Sequence, residues 1–377
     1  MTSLTAVLDL ARWAPSGDNT QPWRFAIEAS DRVAVFGHDT RAHCVYDLDG
    51  HPSQISLGAL LETVALAATR FGLSTTVTRR EGSPDERPIF DVLFRSEETL
   101  TEDVLVAHIR ERRVQRRPLR LRRLSELEKQ VLEHAVAPGF RLTWFEGWSG
   151  RAKIAWLNFA NAKIRLTLPE AYQVHRDVIE WGARLSEDRI PSAALGASAP
   201  TLILMRWAMA SWERIAFLNR YLAGTLAPRI ELDLLPGLAC AAHCVLVAQR
   251  APATLEDYVA AGRALQRFWL TATSLGLQFQ PEYTPLVFAR YAREGVHFAA
   301  SDRAIQQAQA IRAALDRLLG PDVAPRAAFM GRIGAGKPAD ARSERLPLER
   351  LLQSGAEQHG RHPLDASPES LDDRDSR

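Results

Sequence analysis

The segment Gly58-Ala59-Leu60-Leu61-Glu62-Thr63-Val64-Ala65-Leu66-Ala67-Ala68-Thr69-Arg70-Phe71-Gly72-Leu73 has an echo late in the chain, Gly262-Arg263-Ala264-Leu265-Gln266-Arg267-Phe268-Trp269-Leu270-Thr271-Ala272-Thr273-Ser274-Leu275-Gly276-Leu277. Gly58, Leu61, Leu66, Ala68, Thr69, Gly72 and Leu73 recur as Gly262, Leu265, Leu270, Ala272, Thr273, Gly276 and Leu277, at the same offsets. The apolar spacing predicts a helix in each copy, stopped by Gly72 or Gly276. A register shared over a whole helix predicts an internal repeat.

Working outward, Thr2 to Ala14 reads as a helix halted at Pro15, with short strands at Phe25–Glu28 and Arg32–Phe36. Strands at Thr75–Thr78 and Phe90–Phe94 follow the first copy of the repeated helix. From Glu102 the pattern restarts. An arginine-rich helical stretch is expected to end near Pro118, with a second helix over Leu124–Ala135. Ala137-Pro138-Gly139-Phe140-Arg141-Leu142-Thr143-Trp144 then echoes Ala14-Pro15 and the Trp23-Arg24-Phe25 strand, with the intervening loop deleted. A central strand at Ala241–Gln249 feeds the second copy through Thr254-Leu255-Glu256-Asp257. A further helix is expected at Ser301–Leu319.

Three units follow: a first half at 1–100, a second half at 101–352, and a polar tail at 353–377 with too few apolar residues to fold. The second half carries an insertion, roughly 149–235, read as helices at Arg151–Leu168, Glu170–Leu185 and Pro200–Leu222. Its aromatic residues recur at helical spacing, as helix–helix packing requires.

Composition sets the outer limits. A chain of 377 residues, 46% hydrophobic and 24% charged, is globular, and a net charge of +2 gives no global field toward nucleic acid or membrane. No signal peptide or membrane span is expected, because the most apolar window, Ile190–Trp212, contains Pro191, Gly196, Pro200 and Arg206. Three cysteines (Cys44, Cys240, Cys244) suit a reducing cytoplasm better than a disulfide framework. Cys240, His243 and Cys244 sit among apolar neighbours with nothing to complete a tetrahedral metal site, so no metal is expected. The ten histidines are scattered, and no Ser-His-Asp set or carboxylate pair stands out.

Two fragments carry chemistry. Arg110, Arg112, Arg113, Arg116, Arg117, Arg120, Arg122 and Arg123 crowd one short stretch. Guanidinium forks match phosphate oxygens, although such a run alone also fits a solvated face or a nucleic-acid patch. The other fragment is Ala14-Pro15-Ser16-Gly17-Asp18-Asn19-Thr20-Gln21-Pro22-Trp23. Its small and amide residues offer N–H, hydroxyl and amide groups to a polar heterocycle edge, or else form an ordinary capped turn.

Taken with Arg112-Arg113-x-x-Arg116, Gly276-Leu277 and Arg345-Leu346-Pro347, that loop resembles the FMN-dependent nitroreductase family over nearly the whole chain, excepting the inserted helices and the tail. The resemblance implies an α+β sandwich: a mixed, mainly antiparallel sheet surrounded by helices, as in the family's intertwined homodimer with FMN at its interface. It implies an oxidoreductase drawing hydride from NADH or NADPH and passing it to a nitroaromatic, a quinone or a similar small acceptor. Carried over by motif, Arg112, Arg113 and Arg116 would hold the FMN phosphate, and Arg342 and Arg345 would close on it. Ser16, Asn19 and Gln21 would meet the flavin ring, and Gly276, Leu277 and Gln278 would approach it near N5. No catalytic side chain is implied, since the flavin carries the chemistry.

The departures from that pattern are informative. The first half lacks the arginine pair, and the second lacks the Asn-Thr-Gln-Pro-Trp loop. One composite site per chain is therefore expected, in a monomeric chain whose two fused halves form a pseudo-dimer. Two other functions stay open at this point. One is a protein that sequesters FMN beneath the inserted helices. The other is a specialised flavin oxidase of a biosynthetic pathway.

Overall fold

The computed structural model describes residues 3–221 and 224–353. The tail expected to be disordered lies outside them except for Gln353, whose backbone N–H donates to the Phe25 carbonyl at 2.8 Å.

Two four-stranded antiparallel sheets flank a pair of packed helices. The first sheet holds β1 (Trp23–Ala29), β2 (Arg32–Gly37), β3 (Leu73–Arg79) and β4 (Ile89–Ser96), in the order β1-β2-β4-β3. The second holds β5 (Phe140–Glu146), β6 (Ala242–Ala248), β7 (Leu277–Pro281) and β8 (Ala327–Ala335), in the order β5-β6-β8-β7. Counting strands from the start of each sheet, both orders are first-second-fourth-third. Each first strand is preceded by a helix (Ser3–Ala11 or Glu126–Val136), and a long core helix joins the second strand to the third. The fold is α+β, and its element order repeats as the sequence echo predicts.

The core helices are His51–Thr69 and Leu255–Ser274. Nearly every residue of the first from Ser53 to Ala68 is buried, so its apolar character has no single face. Gly50 enters it with φ 78° and Pro52 sits in its first turn. The second opens on a capping box, with the Thr254 hydroxyl accepting from the Asp257 N–H and the Asp257 carboxylate accepting from the Thr254 N–H. Gly72 and Gly276 follow the two ends with φ 64° and 69°, the left-handed turn expected of a closing glycine.

The helices cross where the matched glycines lie. A Cβ on Gly58 would sit 2.0 Å from the Val259 carbonyl oxygen, and one on Gly262 would sit 2.0 Å from that of Ile55. Val259 stands to Gly262 as Ile55 stands to Gly58, so each contact is the other's image. Polar contacts obey the same exchange. Arg267 Nη1 donates to Glu62 Oε1 at 2.8 Å, and the image pair is Gln266 Nε2 donating to Thr63 Oγ1 at 2.9 Å. Reciprocity of this kind is how a two-fold interface is recognised.

The halves are interwoven. Leu105, Val106 and Ile109 pack in the first half's core, as do Leu346, Leu348 and Leu351 of the C-terminal arm. Leu352 then forms a parallel bridge with Phe25 on β1.

Several sequence expectations are corrected. The arginine-rich stretch is not a helix: after a 3-10 turn at Val104–His108 it runs extended, and Val114 bridges Phe279 on β7. A helix would place Arg112 over Arg116 and Arg113 over Arg117, like charges one turn apart, whereas extended chain spreads them. The insertion begins with helices Gly147–Thr167 and Pro169–Val178, the latter stopping short of Leu185 because Ile179 and Glu180 turn extended and pair with Ile190 and Pro191. The helix expected over Pro200–Leu222 breaks at Met209–Ser211 into Ala199–Ala208 and Trp212–Tyr221.

Candidate functional site

A cavity of about 350 Å3 opens between the halves, beside the crossing of the core helices. Ile55, Ser56 and Ala59 of the first core helix and Leu265 and Trp269 of the second form its floor. Its volume falls in the range of small-molecule pockets.

Four arginines gather at one end: Arg112 and Arg113 from the extended stretch, and Arg342 and Arg345 from the C-terminal arm. Their partners are backbone carbonyls. Arg112 Nη2 donates to Trp13 O at 2.8 Å, Arg113 Nη1 to Ala339 O at 3.0 Å, Arg342 Nη1 to Arg110 O at 2.9 Å, and Arg345 Nε to Ala14 O at 2.9 Å. Two rings cover them, with Arg112 4.5 Å from the centre of Trp269 and Arg342 4.6 Å from that of Trp13. Among the described residues, no carboxylate forms an ion pair with any of the four.

This gathering strains the protonation of Arg112, Arg342 and Arg345. Arg112 is only 6% exposed, its Nε has no partner, and burial with the nearby Arg345 and Arg342 charges holds its pKa well below normal. Burial and the charges of Arg342 and Arg12 bring Arg345 down to about 9. Positive charge concentrated this way asks for an anion. Arg116 also lines the cavity, but its Nη1 donates to Ala194 O at 3.0 Å, away from the group of four.

The loop after Pro15 forms an adjoining wall through Ser16, Gly17, Asp18 and Asn19. Asp18, Asn19 and Gln21 all have positive φ (48°, 63° and 49°), a costly run for non-glycine residues that surrounding contacts must hold. Ser16 Oγ accepts from Gln21 N, and the Asn19 amide donates to Glu187 O at 3.0 Å. Asn19 Oδ1 is buried without a partner. Gln21 lies behind the wall: its Nε2 donates to Glu187 O and its Oε1 accepts from Leu346 N, tying the loop to the insertion and the arm. Gly276, Leu277 and Gln278 also lie off the cavity surface. Gln280 and Pro281, further along β7, form that wall, and Gln280 Oε1 is buried without a partner.

No motif in the sequence points to the remaining wall. Tyr46, Arg165, His175, Tyr283 and Thr284 line it. The Tyr46 hydroxyl and His175 Nε2 share a 2.9 Å hydrogen bond, and burial with the Arg165 charge lowers the His175 pKa to about 3, keeping it neutral. Arg165 pairs with Asp233 at 2.8 Å. Burial raises the Asp18 carboxyl, against the opposing pull of Arg116 and Arg165. Arg165 and His175 come from the insertion, where periodicity alone cannot say which polar residue turns inward.

Cys240 and Cys244 are buried free thiols, in keeping with their apolar neighbours. His243 between them is fully buried. Its Nδ1 lies 2.7 Å from Glu282, which also takes Arg332 at 3.0 Å. Burial opposes its charge, but the Glu282 carboxylate prevails and raises its pKa to about 10. Among the described residues, no group of three or more His, Cys, Asp or Glu is placed to hold a metal ion, and no helix is long and apolar enough to cross a membrane.

No family model matches the chain, and no curated protein matches it significantly. Among solved structures it is similar to a nitroreductase-like family protein from Bacillus cereus, at 15% identity and a TM-score of 0.35, over 67% of this chain and 97% of that one. It is also similar to a nitroreductase with bound FMN from Bacteroides fragilis, at 13% identity and a TM-score of 0.31, over 62% of this chain and 89% of that one.

Proposed function

We propose that the cavity binds one FMN and that the chain is an FMN-dependent, NAD(P)H-using oxidoreductase of nitroreductase type, built as a fused pseudo-dimer. The observation that carries this reading is the group of four arginines held by carbonyls and rings, with no carboxylate among them, at one end of a ligand-sized cavity. A phosphate monoester supplies the missing charge, and Arg112, Arg113, Arg342 and Arg345 would hold it. Asn19 Oδ1 and Gln280 Oε1, buried acceptors without partners, suit ring N–H groups. The residues present therefore fit the cofactor.

When bound, FMN would supply hydride transfer from NAD(P)H to a small acceptor such as a nitroaromatic or quinone. The chain's own residues bind and orient. The left-handed loop from Asp18 to Gln21 fixes one edge of the cavity, and Trp269 with Leu265 keeps water from its floor. Asp18, Tyr46 and His175 line the walls beyond the arginines and would orient the acceptor.

The repeated strand order and the reciprocal glycine crossing support the pseudo-dimer reading. A single site follows from it, because one half contributes the loop and the other the arginines. The flavin-to-protein ratio of purified chain tests this: a value near one is expected, and none or two overturns it.

One observation favours sequestration of flavin instead. The insertion supplies Arg165, His175, Ile190 and Ala194 to the cavity wall, narrowing access from that side. Anaerobic mixing with NADPH decides between the two. Rapid loss of flavin absorbance supports the oxidoreductase, and unchanged absorbance supports storage.

A further inference from the structure

A second, larger cavity lies outside the flavin-type site, on the far side of the helix that carries Arg165. It measures about 610 Å3 and is bounded by the end of that helix (Lys163, Thr167, Leu168), by Trp212, Asn219 and Arg220, by Arg229, and by the first turns of the helix Asp302–Leu319. Its charged lining is entirely basic: Lys163, Arg220, Arg229 and Arg303. Among the described residues, no carboxylate forms an ion pair with any of these four. Some buried or half-buried cations are paired, as in Arg165–Asp233 and Arg290–Asp49, whereas the four around this space, like the four at the flavin-type cavity, form no ion pair among the described residues.

Arg229 shows this arrangement most clearly. It is buried, its guanidinium lies 3.7 Å from the centre of the Phe159 ring, and its Nε and Nη2 both donate to Phe159 O. That support fixes the guanidinium in place, and burial lowers its pKa against the opposing pull of Asp233, whose carboxylate is ion-paired with Arg165. An arginine held by a ring and a carbonyl, with no carboxylate of its own in contact, keeps charge to offer an anion. Asn219, Thr167, Thr225, Ser301 and Gln307 add neutral polar groups to the same wall. The site is thus concave, mixed in polarity and uniformly positive in its charges.

We propose that this cavity is a second ligand site, for a small polyphosphate, separate from the flavin-type cavity. Two or more phosphate groups match four spread cations better than a single carboxylate does, because each guanidinium can take a pair of oxygens. The helix that supplies Lys163 and Thr167 here places Arg165 in the other cavity, so the two sites share one rigid wall.

The test is calorimetric titration of the full chain, with its flavin bound, by inorganic pyrophosphate and separately by citrate. Saturable pyrophosphate binding, tighter than that of citrate, is expected. Arg220 and Arg303 are exposed, so the double variant Arg220→Glu/Arg303→Glu should fold, keep its flavin and weaken pyrophosphate binding by about tenfold or more. Lys163→Gln should weaken it less. Absence of saturable binding overturns the proposal, as does binding that survives the double charge reversal. Pyrophosphate binding that disappears in Arg113→Glu instead would place the ligand in the flavin-type cavity, and tighter binding of citrate would overturn the phosphate assignment. Flavin content is measured on the same samples, so this proposal and the flavin reading fail separately.

Discussion

The two flanks of the core helix pair share a backbone and differ in their side chains. On one flank Ile55, Ser56 and Ala59 of the first helix face Leu265 and Trp269 of the second across open space, the floor of the ligand-sized cavity. On the other flank, the equivalent positions hold Val259, Ala260 and Arg263 with Leu61 and Ala65. There Glu62 binds Arg263 at 2.9 Å and Arg267 at 2.8 Å, and Arg267 also reaches Asp103 at 3.0 Å. Where Ala59 leaves room on the cavity flank, its counterpart Arg263 brings a charge and pairs it. The same frame thus gives an anion-seeking cavity on one side and a self-neutralised ion cluster on the other. Side-chain size and charge decide the outcome, and the frame permits both.

The most damaging change should strike what the flanks share. Gly262→Ala puts a methyl group 2.0 Å from the Ile55 carbonyl oxygen, a backbone atom that cannot swing aside, and Gly58→Ala does the same against Val259. Each should cost about 3 kcal/mol or more in urea unfolding, at the upper end for overpacking. Near-equal losses are expected because the contacts are images of one another. A loss under about 0.5 kcal/mol in either would mean that the crossing is not as close as described.

Charge reversal then separates the flanks by function. Arg112→Glu places a carboxylate beside Arg342 and Arg345 where the anion belongs, and should lower flavin affinity at least about a hundredfold, roughly 3 kcal/mol. Arg263→Glu on the other flank should leave flavin content unchanged and cost stability, since it sets two carboxylates together. Equal loss of flavin in both variants would break the distinction between the flanks.

Much of this frame is legible in the sequence. The shared register marks the repeat, and the crossing explains why Gly58 and Gly262 recur, since only glycine lets two backbones meet so closely. The arginine run and the Ser16–Asn19 loop line one cavity, an adjacency that the family resemblance implies and their residue types alone do not. What sequence did not reveal depends on direction. The arginine stretch looked helical because nothing in local composition reports its pairing with β7. The resemblance implies Gln21 as a ring ligand, and nothing in the motif announces that its partners are Glu187 O and Leu346 N. Tyr46 reaches the cavity from a segment far from Arg165 and His175 in the chain, so no spacing joins it to them.

The ion cluster itself is the next test. Glu62 is buried while Arg263 and Arg267 are over a third exposed, so solvent screens part of the attraction. Glu62→Gln should cost about 1–2 kcal/mol, less than a fully buried pair would. It should not change flavin content, since the cluster faces away from the cavity.

The smallest effect lies in the neutral image of that cluster. Under the exchange that relates the helices, Glu62–Arg267 becomes Thr63–Gln266, a 2.9 Å hydrogen bond between two fully buried side chains. A double-mutant cycle with Thr63→Val and Gln266→Leu should give a coupling of about 0.5–1.5 kcal/mol, that of an ordinary hydrogen bond. The matching cycle with Glu62→Gln and Arg267→Gln should give a coupling of similar size at low salt. Raising salt to about 1 M, where the screening length is near 3 Å, should shrink the ionic coupling and leave the neutral one unchanged. If both couplings fall together, the two contacts are not the charged and uncharged forms of one interaction, and the comparison of the flanks loses its polar half.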